Sequence, residues 1–439
     1  MHLLKIRTAV SALCASFLLV THASALTLAE AHQLMRDNDP QLLRSDVAIE
    51  LSEVRLDGAK AQLRPSVSAV LTTSKTQREQ FSQTERYQGE DYTVAVTQTV
   101  FNRPLWLEQD RLQALVDAQM ASHADRLQLR RVDLISGYAQ WIETSARVQL
   151  LERRLEAILA RYQQVTELFE RQRLSVTQVL TVENERDRVR AELARARALR
   201  VGAESVLLAI IGRSSELSNT PDLRLPVFDW PLNPQLLDTF VREPESHAVL
   251  ERARAEREAA SIALQQAESR WMPRLDARLQ ARQTNIGASD AETFPVESAS
   301  AQLTLTWDIV DFGKRGAQQR EAELAFRDAE LALEQAQLEV QRLSASSSVD
   351  IERYREAWNA ARAEYESATK LVRAADRSFE LGVGTVGDSL RALERQIDAE
   401  IRLTSRWLEA VLGAAEIAQV NNQLDDQSIA RLSDVFSGQ

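Results

Sequence analysis

The histidines, the cysteine and one glycine-rich segment are the residues of this chain that could support catalysis or bind a metal. The sequence has five histidines and one cysteine. Beyond residue 25 the histidines are His32, His123 and His247, which are far apart. No His-x-x-His or Cys-x-x-Cys spacing is present to bind a metal, and no Gly-x-Ser-x-Gly turn is present to hold a nucleophile. Residues 382–387 space their glycines like a dinucleotide-binding loop, but no strand precedes them. The sequence therefore predicts a turn there, and it predicts no enzyme, no metal site and no cofactor.

Composition favours long helices and excludes a nucleic-acid partner. Of the 439 residues, 13 are Gly and 10 are Pro, a combined share well below average usage, and 27% are charged. The formal net charge is -11. Because a protein that binds phosphate backbones needs a basic excess, no nucleic acid is expected among its partners.

The first 25 residues are typical of a secretory signal peptide. Lys5 and Arg7 precede an apolar run at residues 9–20, which is too short to span a bilayer, and Ala23-Ser24-Ala25 forms a cleavage site. Cys14 lies inside this run, so the mature chain has no cysteine. No later apolar stretch is long enough for a membrane-spanning helix. Such an exported chain is either soluble outside the inner membrane or crosses a membrane as strands.

Two halves of the chain repeat one pattern at an offset of about 210 residues. Three pairs of segments recur in the same order, namely residues 63–66 with 271–274, 98–102 with 307–311, and 174–180 with 384–390. The halves span residues 26–225 and 226–426, and residues 427–439 are expected to form a C-terminal tail.

Each half is predicted to contain a helix, two strands, a long helix, a break and a further helix. The long helices are expected at about residues 104–170 and 314–381, which at 1.5 Å per residue makes rods of roughly 100 Å. Apolar residues between positions 134 and 169 step by 4, 3 and 7, the spacing of a coiled-coil seam. The strands are expected at about residues 66–80, 91–101, 274–285 and 300–310.

The predicted strands alternate apolar and polar residues, as the strands of a membrane β-barrel do. The alternation is clear at residues 93–100 and 302–309. Trp106, Trp271 and Trp307 lie where strands meet helices, the position of an interfacial aromatic belt. A half-buried hairpin on a soluble sheet accounts for the alternation equally well. In a membrane, four strands cannot close a barrel, so several chains would have to associate.

Several segments together resemble the TolC family of trimeric outer-membrane efflux and export channels. They are the opening at residues 26–31 and 38–42, the pre-strand residues 62–65, the strand-to-helix residues 97–101 and the two breaks between paired helices. The resemblance covers nearly all of the mature sequence. It implies a mainly α fold with a membrane β portion. In the family, three chains supply four strands each to a 12-stranded β-barrel, and their helices form a long coiled-coil helical barrel through the periplasm.

By the same resemblance, the two breaks are helix-hairpin tips at the periplasmic end, where a periplasmic adaptor protein docks. The adaptor contacts expected in the two tips are Arg173, Leu174 and Ser175, and Gly382, Val383, Gly384 and Thr385. The first tip departs from the family pattern, because Gln172 and Gln178 stand where Gly and Asp are usual. The second tip keeps both residue types, as Gly382 and Asp388. Glycine permits the positive φ of a tight turn, and Thr177 is expected to cap the following helix.

The resemblance also places a constriction of the tunnel at these tips, formed by Phe379, Asp388, Arg391, Thr177 and Gln178. Asp388 from each chain would form an acidic ring that favours cations and could bind a blocking metal ion. Arg391 stands where the best-known member of the family has a second Asp. Phe379 and Gly384 stand where that member has a Tyr and an Arg that lock the closed mouth. The charged lock is therefore expected to be absent or rebuilt.

These features predict a passive exit duct of a tripartite efflux pump or a type I secretion system, located in the outer membrane with its tunnel in the periplasm. The expected partners are two further copies of the chain, a periplasmic adaptor, an inner-membrane transporter that supplies the energy, and outer-membrane lipid. The alternative is a soluble periplasmic coiled-coil scaffold or adaptor without a pore. The substrate and the fold of residues 212–244 stay open.

Overall fold

A computed structural model describes residues 26–80, 83–213, 227–241, 247–288 and 294–437. The signal peptide predicted at residues 1–25 lies outside these ranges, as do parts of the unassigned segment 212–244.

The described chain is mainly helical and carries one four-stranded sheet. Its elements, in chain order, are α1 (Leu28–Asn38), α2 (Pro40–Gln62), β1 (Ser66–Gln80), β2 (Gln83–Phe101), α3 (Arg103–Glu170), α4 (Val176–Ile210), α5 (Pro234–Val241), α6 (Ala248–Ser269), β3 (Arg274–Ala288), β4 (Phe294–Thr306), α7 (Lys314–Glu380), α8 (Val386–Val420) and α9 (Asp426–Ser437). The order helix, two strands, long helix, helix therefore occurs twice. The helix α5 belongs to the segment whose fold the sequence left unassigned.

Local sequence sets where the helices begin. Thr27 and Glu30 form a capping box at α1. Asp39 caps α2, in which Pro40 takes the first position, where its missing N–H costs nothing. Past these starts, α3 and α7 run for 68 and 67 residues, so each is a rod of roughly 100 Å.

The sheet is antiparallel throughout, in the order β1-β2-β3-β4. Its register places Val67, Val96, Leu279 and Ala301 in one row across all four strands. The apolar residues thus share one continuous face, and this face is exposed, since Val67 is 72% and Leu303 is 71% accessible. Among the described strands, β1 and β4 each pair on one side only.

The strands differ from the predicted bounds. The predicted strand at 300–310 is wrong at its end, because β4 stops at Thr306. Thr306 pairs with Arg274, the first residue of β3, which follows Pro273, so the ladder has no partner strand beyond that point. At their other ends β2 and β4 start earlier than predicted, at Gln83 and Phe294.

The main hydrophobic core lies around the middle of the helices, where α1, α3, α4, α7, α8 and α9 meet. Trp141, Trp407 and Phe240 are fully buried there. The prediction that residues 427–439 form a tail is wrong, because most of them belong to α9. Ile429, Leu432 and Phe436 recur at helical spacing and are buried in this core, so α9 is held by its apolar face.

Two rows of packed helices extend from this core. In the row nearer the sheet, α2 packs on α3, α3 on α6 and α6 on α7. In the row toward the hairpin tips, α4 packs on α3, α3 on α8 and α8 on α7. The outermost helices of the two rows are α7 on one side and α2 and α4 on the other. No helix in the described ranges has an 18-residue stretch apolar enough to cross a bilayer.

Candidate functional site

The first hairpin tip turns at a glutamine in the left-handed region. Gln172 has φ of 58°, and its N–H donates to the carbonyl of Phe169 at 2.8 Å. The N–H of Arg173 donates to the carbonyl of Leu168 at 2.9 Å, which completes the hydrogen-bond pattern of a left-handed helix end. A side chain with a Cβ pays a conformational cost in this region of about 1–2 kcal/mol. The first tip is therefore more strained than a glycine turn would be.

The helix after this tip is not capped as predicted. Its N-cap residue is Ser175 rather than Thr177, and no side chain caps it. The hydroxyls of Ser175 and Thr177 bind each other instead, at 2.6 Å. Gln178 is half-buried, and its side-chain carbonyl oxygen has no hydrogen-bond partner in the described part of the chain.

The second tip makes the same turn with glycines. Gly382 has φ of 73°, the value that corresponds to Gln172 in the first tip. The N–H groups of Val383 and Gly384 both donate to the carbonyl of Ser378, at 3.0 and 2.9 Å. A Cβ on Gly384 would lie 2.9 Å from the Cβ of Ser378, so the turn requires a glycine at that position as well.

Asp388 is a helix-capping carboxylate. Thr385 and Asp388 form a capping box at the start of α8. One Asp388 oxygen accepts from the Thr385 hydroxyl at 2.6 Å, and the other accepts from Arg391 Nη2 at 2.5 Å. These hydrogen bonds, the Thr385 bond first and the Arg391 bond second, hold the pKa of Asp388 below its usual range. The carboxylate is therefore ionised and half-exposed, and its charge is offset by Arg391 within the same chain. The Thr-x-x-Asp spacing is a sequence signal for this capping role.

The two tips pack together through one hydrophobic cluster. Phe379 and Leu390 from the second hairpin lie in it with Val165 and Val182 from the first, and Leu174 packs against its surface. Phe379 is only 9% exposed. Of the residues predicted for the constriction, Phe379 is thus a core residue in this chain, whereas Asp388, Arg391 and Thr177 are exposed.

Arg161 connects the hairpins and is absent from the sequence prediction. Its guanidinium donates to Asp376 at 2.6 Å and to the Ser389 hydroxyl at 3.0 Å, and it lies 4.9 Å from the centre of the Phe379 ring. The Ser389 hydroxyl also donates to Asp376, at 2.6 Å. These partners are more than 200 positions from Arg161 in sequence, so no local spacing reveals them.

Arg154 forms a second connection between the hairpins. Its side chain is 2% exposed and binds Glu185 of α4 at 2.6 Å, and Glu394 of α8 lies 3.5 Å away. Because one buried guanidinium serves carboxylates on both hairpins, it fixes their relative position.

At the opposite end of the long helices, the structure places the three predicted tryptophans at the strand-to-helix turns. The Trp307 indole N–H donates to the carbonyl of Trp271 at 3.1 Å, and both rings are about half exposed. Trp106 instead packs edge-on against Phe101, with ring centres 5.3 Å apart. Trp271 and Trp307 are therefore joined directly, and Trp106 is held by a different neighbour.

The outermost helices carry exposed apolar stripes. On α2 the stripe consists of Leu43, Val47, Leu51 and Val54, which are 45–61% exposed. On α7 Leu324, Leu331 and Leu338 are spaced by seven residues and are 55–61% exposed. Apolar residues at heptad spacing are typical of a helix that packs against another helix.

The histidines have separate protein partners. The His32 ring accepts from Arg131, His123 binds the Ser45 hydroxyl, and His247 caps α6. Across the ranges that the structure describes, no group of three or more His, Cys, Asp or Glu side chains is placed to hold a metal ion.

A comparison with known protein families finds a match over part of the chain. The model of the outer membrane efflux protein family matches residues 244–413, which include β3, β4, α7 and most of α8. No curated protein sequence matches the chain at a significant level.

Solved structures show the same fold over the length of the chain. A membrane protein from Pseudomonas aeruginosa has 17% identity and a TM-score of 0.75, with 91% of each chain covered. The CmeC outer membrane channel of Campylobacter jejuni has 10% identity and a TM-score of 0.74, with 93% of this chain and 89% of that chain covered. The MtrE outer membrane channel of Neisseria gonorrhoeae, in its open state, has 14% identity and a TM-score of 0.72, with 91% and 89% covered. The partial family match and the shared fold agree with the predicted resemblance, and the predicted mainly α fold with four strands per chain is confirmed.

Proposed function

We propose that this chain is one protomer of an outer-membrane efflux channel, and that the channel is the passive exit duct of a tripartite pump or a type I secretion system. The family match over residues 244–413 and the fold shared with outer membrane channels support an outer-membrane efflux channel. The single observation that carries the proposal is the four-stranded sheet with an exposed apolar face and two unpaired edges, attached to helices of roughly 100 Å.

The unpaired edges support assembly of several chains, and the resemblance to the TolC family gives the number three. A sheet edge in lipid leaves backbone N–H and carbonyl groups without partners, which costs several kcal/mol per group, so β1 of one chain has to pair with β4 of another. Three chains would contribute twelve strands, within the range of membrane barrels. In such an arrangement the apolar face, which includes Val67 and Leu303, turns toward lipid.

The helical stripes support the same assembly. The stripe on α2 and the stripe on α7 lie on opposite sides of the protomer, in the row next to the sheet. A head-to-tail arrangement about a threefold axis would bring each α7 stripe against the α2 stripe of the next chain. The helices would then close into a tunnel that continues from the barrel.

The hairpin tips are the expected docking sites for a periplasmic adaptor. Val383 is 81% exposed and Leu381 is 63% exposed on the second tip, and Val176 is 54% exposed on the first. Exposed apolar side chains at the tip of a helical hairpin offer a surface for a partner protein. The inner-membrane transporter would supply the energy, and the duct would conduct its substrates passively.

The charge of the mouth is set by Asp388 and Arg391. An acidic ring formed by Asp388 was the prediction from sequence, and the ion pair to Arg391 reduces the field that this ring can exert. We expect cation selectivity to be weak in the unmodified channel and to rise when Arg391 is removed.

Single-channel conductance of the purified mature protein in a planar bilayer tests the proposal. We expect discrete current steps, stronger cation selectivity for Arg391→Ala and weaker cation selectivity for Asp388→Asn. The matched control is Asp328→Asn, which removes an exposed carboxylate from α7 far from the tips.

Each outcome has a distinct meaning. Steps whose selectivity changes in both tip variants, with Asp328→Asn unchanged, would support a pore with its constriction at the second tip. Steps with identical selectivity in all variants would overturn the role of Asp388 but keep the channel. A mature protein that stays in the periplasm without detergent and never inserts would overturn the channel and favour the soluble scaffold.

A further inference from the structure

A cleft of about 480 Å³ lies where the strands meet the helices. Its walls come from three turns of the same chain, the β2-to-α3 turn, the α6-to-β3 turn and the β4-to-α7 turn. Six charged residues line it, four cationic and two acidic, namely Arg270, Arg274, Lys314, Arg315, Asp308 and Asp311.

Arg315 is a buried cation in this wall with unused donors. Its side chain is 7% exposed, and its Nε donates to Asp311 at 2.6 Å. The guanidinium lies 4.0 Å from the centre of the Trp271 ring. Both terminal nitrogens, Nη1 and Nη2, are buried and have no hydrogen-bond partner in the described part of the chain. These two atoms carry most of the N–H donors of an arginine, and buried donors in proteins are nearly always paired.

The beginning of α7 adds positive potential at the same place. Lys314 is the first residue of this 67-residue helix, and the helix dipole favours anions at this end. Asp311 offsets part of this potential, because its two oxygens accept from the backbone N–H groups of Gly313 and Arg315 and one of them also accepts from Arg315 Nε.

The other cations of the cleft are largely uncommitted. Arg270 donates to the neutral side chain of Gln318 at 2.6 Å. Arg274, which is exposed, lies 3.8 Å from the half-buried Asp276, so the two form a loose pair. Lys314 is exposed and has no ion pair within 4.0 Å in the described ranges. The cleft therefore combines a cationic excess with buried donors.

We propose that this cleft binds a phosphate-type oxyanion, one per chain. A tetrahedral oxyanion offers several acceptor oxygens, which matches the paired terminal nitrogens of Arg315 and the ammonium of Lys314. The phosphate has two possible sources, free phosphate in the surrounding solution or the headgroup of a phospholipid. The half-exposed rings of Trp271 and Trp307 beside the cleft fit the headgroup. That source rests on the proposed outer-membrane location, whereas the oxyanion site itself does not.

Equilibrium dialysis of the full mature protein in detergent against radiolabelled inorganic phosphate, at constant ionic strength, measures the site. We expect saturable binding of one phosphate per chain. Lys314→Gln should weaken it about tenfold, the effect of losing one charge-assisted contact. Arg315→Gln should weaken it further. The matched control is Lys370→Gln, which removes an exposed lysine from the same helix far from the cleft.

A second experiment distinguishes free phosphate from a phospholipid headgroup as the source of the anion. The same variants are reconstituted in bilayer discs of phosphatidylglycerol or of phosphatidylcholine, and co-purified lipid is counted after detergent exchange. The headgroup is the source if the wild-type protein retains one phospholipid per chain, Lys314→Gln retains none, and inorganic phosphate binds only weakly. Saturable phosphate binding without lipid retention identifies the free anion.

Two results would overturn the proposal. One is phosphate binding that does not saturate and falls equally in Lys370→Gln and Lys314→Gln, which indicates general attraction to surface charge. The other is the absence of both phosphate and lipid binding in the folded wild-type protein. Because Lys314 is exposed, Lys314→Gln is expected to fold normally, so the test does not depend on the stability of Arg315→Gln.

Discussion

Replacing Gly413 with alanine tests how closely α7 and α8 pack beside the main core. A Cβ at Gly413 would lie 2.1 Å from Cε2, 2.4 Å from Cζ and 2.7 Å from the phenolic oxygen of Tyr354. The ring therefore has to move, and overpacking of this kind costs about 1–3 kcal/mol. Alanine also gains about 1 kcal/mol over glycine in a helix interior. We expect Gly413→Ala to lower the free energy of unfolding by about 1 kcal/mol.

Two further variants isolate the steric contribution to the change in the free energy of unfolding of Gly413→Ala. Gly202 lies inside α4, a helix of the same length as α8, and a Cβ there would meet nothing within 4 Å. Gly202→Ala should therefore raise the free energy of unfolding by about 1 kcal/mol. Tyr354→Leu removes the three atoms that overlap. In that background Gly413→Ala should stabilise the protein as Gly202→Ala does.

Urea unfolding followed by circular dichroism measures these differences. The double-mutant cycle between Gly413→Ala and Tyr354→Leu should give a coupling energy of about 1–3 kcal/mol. Equal stabilisation by Gly413→Ala and Gly202→Ala in the wild-type background would refute the reasoning, because the Tyr354 ring would then move aside without cost.

Four other substitutions have defined outcomes. Gln172→Gly should raise the free energy of unfolding by up to about 1 kcal/mol, and Gly382→Gln should lower it by a similar amount, because both positions have positive φ. Urea unfolding measures both, and a Gln172→Gly protein no more stable than the wild type would contradict the strain at Gln172. Thr385→Ala should destabilise the start of α8 by about 1 kcal/mol through loss of its cap, which faster amide exchange at the second tip would report. Burial, and then the charge of Arg131, lower the pKa of His32 from 6.5 to about 4. Neutral His32 therefore contributes fully to the free energy of unfolding above pH 6.5. As the pH falls toward 4 this contribution is lost, which lowers the free energy of unfolding by about 2 kcal/mol once solvent screening is considered. His32→Asn should flatten that part of the stability profile, and an unchanged slope in the variant would show that another group titrates.

The long elements could be predicted from sequence because their signals are local and repeated. The heptad spacing in α3 and the alternation in the strands extend over many residues, so single exceptions do not obscure them. The turn at Gly382 was predictable for the same kind of reason, since positive φ selects glycine. The end of β4 was not, because it depends on where β3 begins, at a residue 32 positions earlier.

The contacts of the candidate site were less predictable. Arg161 meets Asp376 and Ser389 across more than 200 positions, and neither spacing nor propensity encodes such a pairing. Arg391 is different, because its pairing with Asp388 three residues away is a local helical spacing that the sequence displays. The burial of α9 was missed because its apolar residues are few. They are buried only through contact with the neighbouring core, which the local sequence does not show.

The packing of α9 against α1 has a consequence for how the chain folds. Ser433 of α9 accepts a hydrogen bond from the backbone of Ala29, 404 positions away, and Arg36 of α1 pairs with Asp426 at 2.9 Å. Contacts of such high sequence separation form slowly, since a very long loop has to close first. The first and last described helices therefore complete the core together, late in folding. Until α9 packs on α1, the apolar face of α1 is exposed to solvent. The partly folded chain is therefore prone to aggregate during this period unless that face is protected.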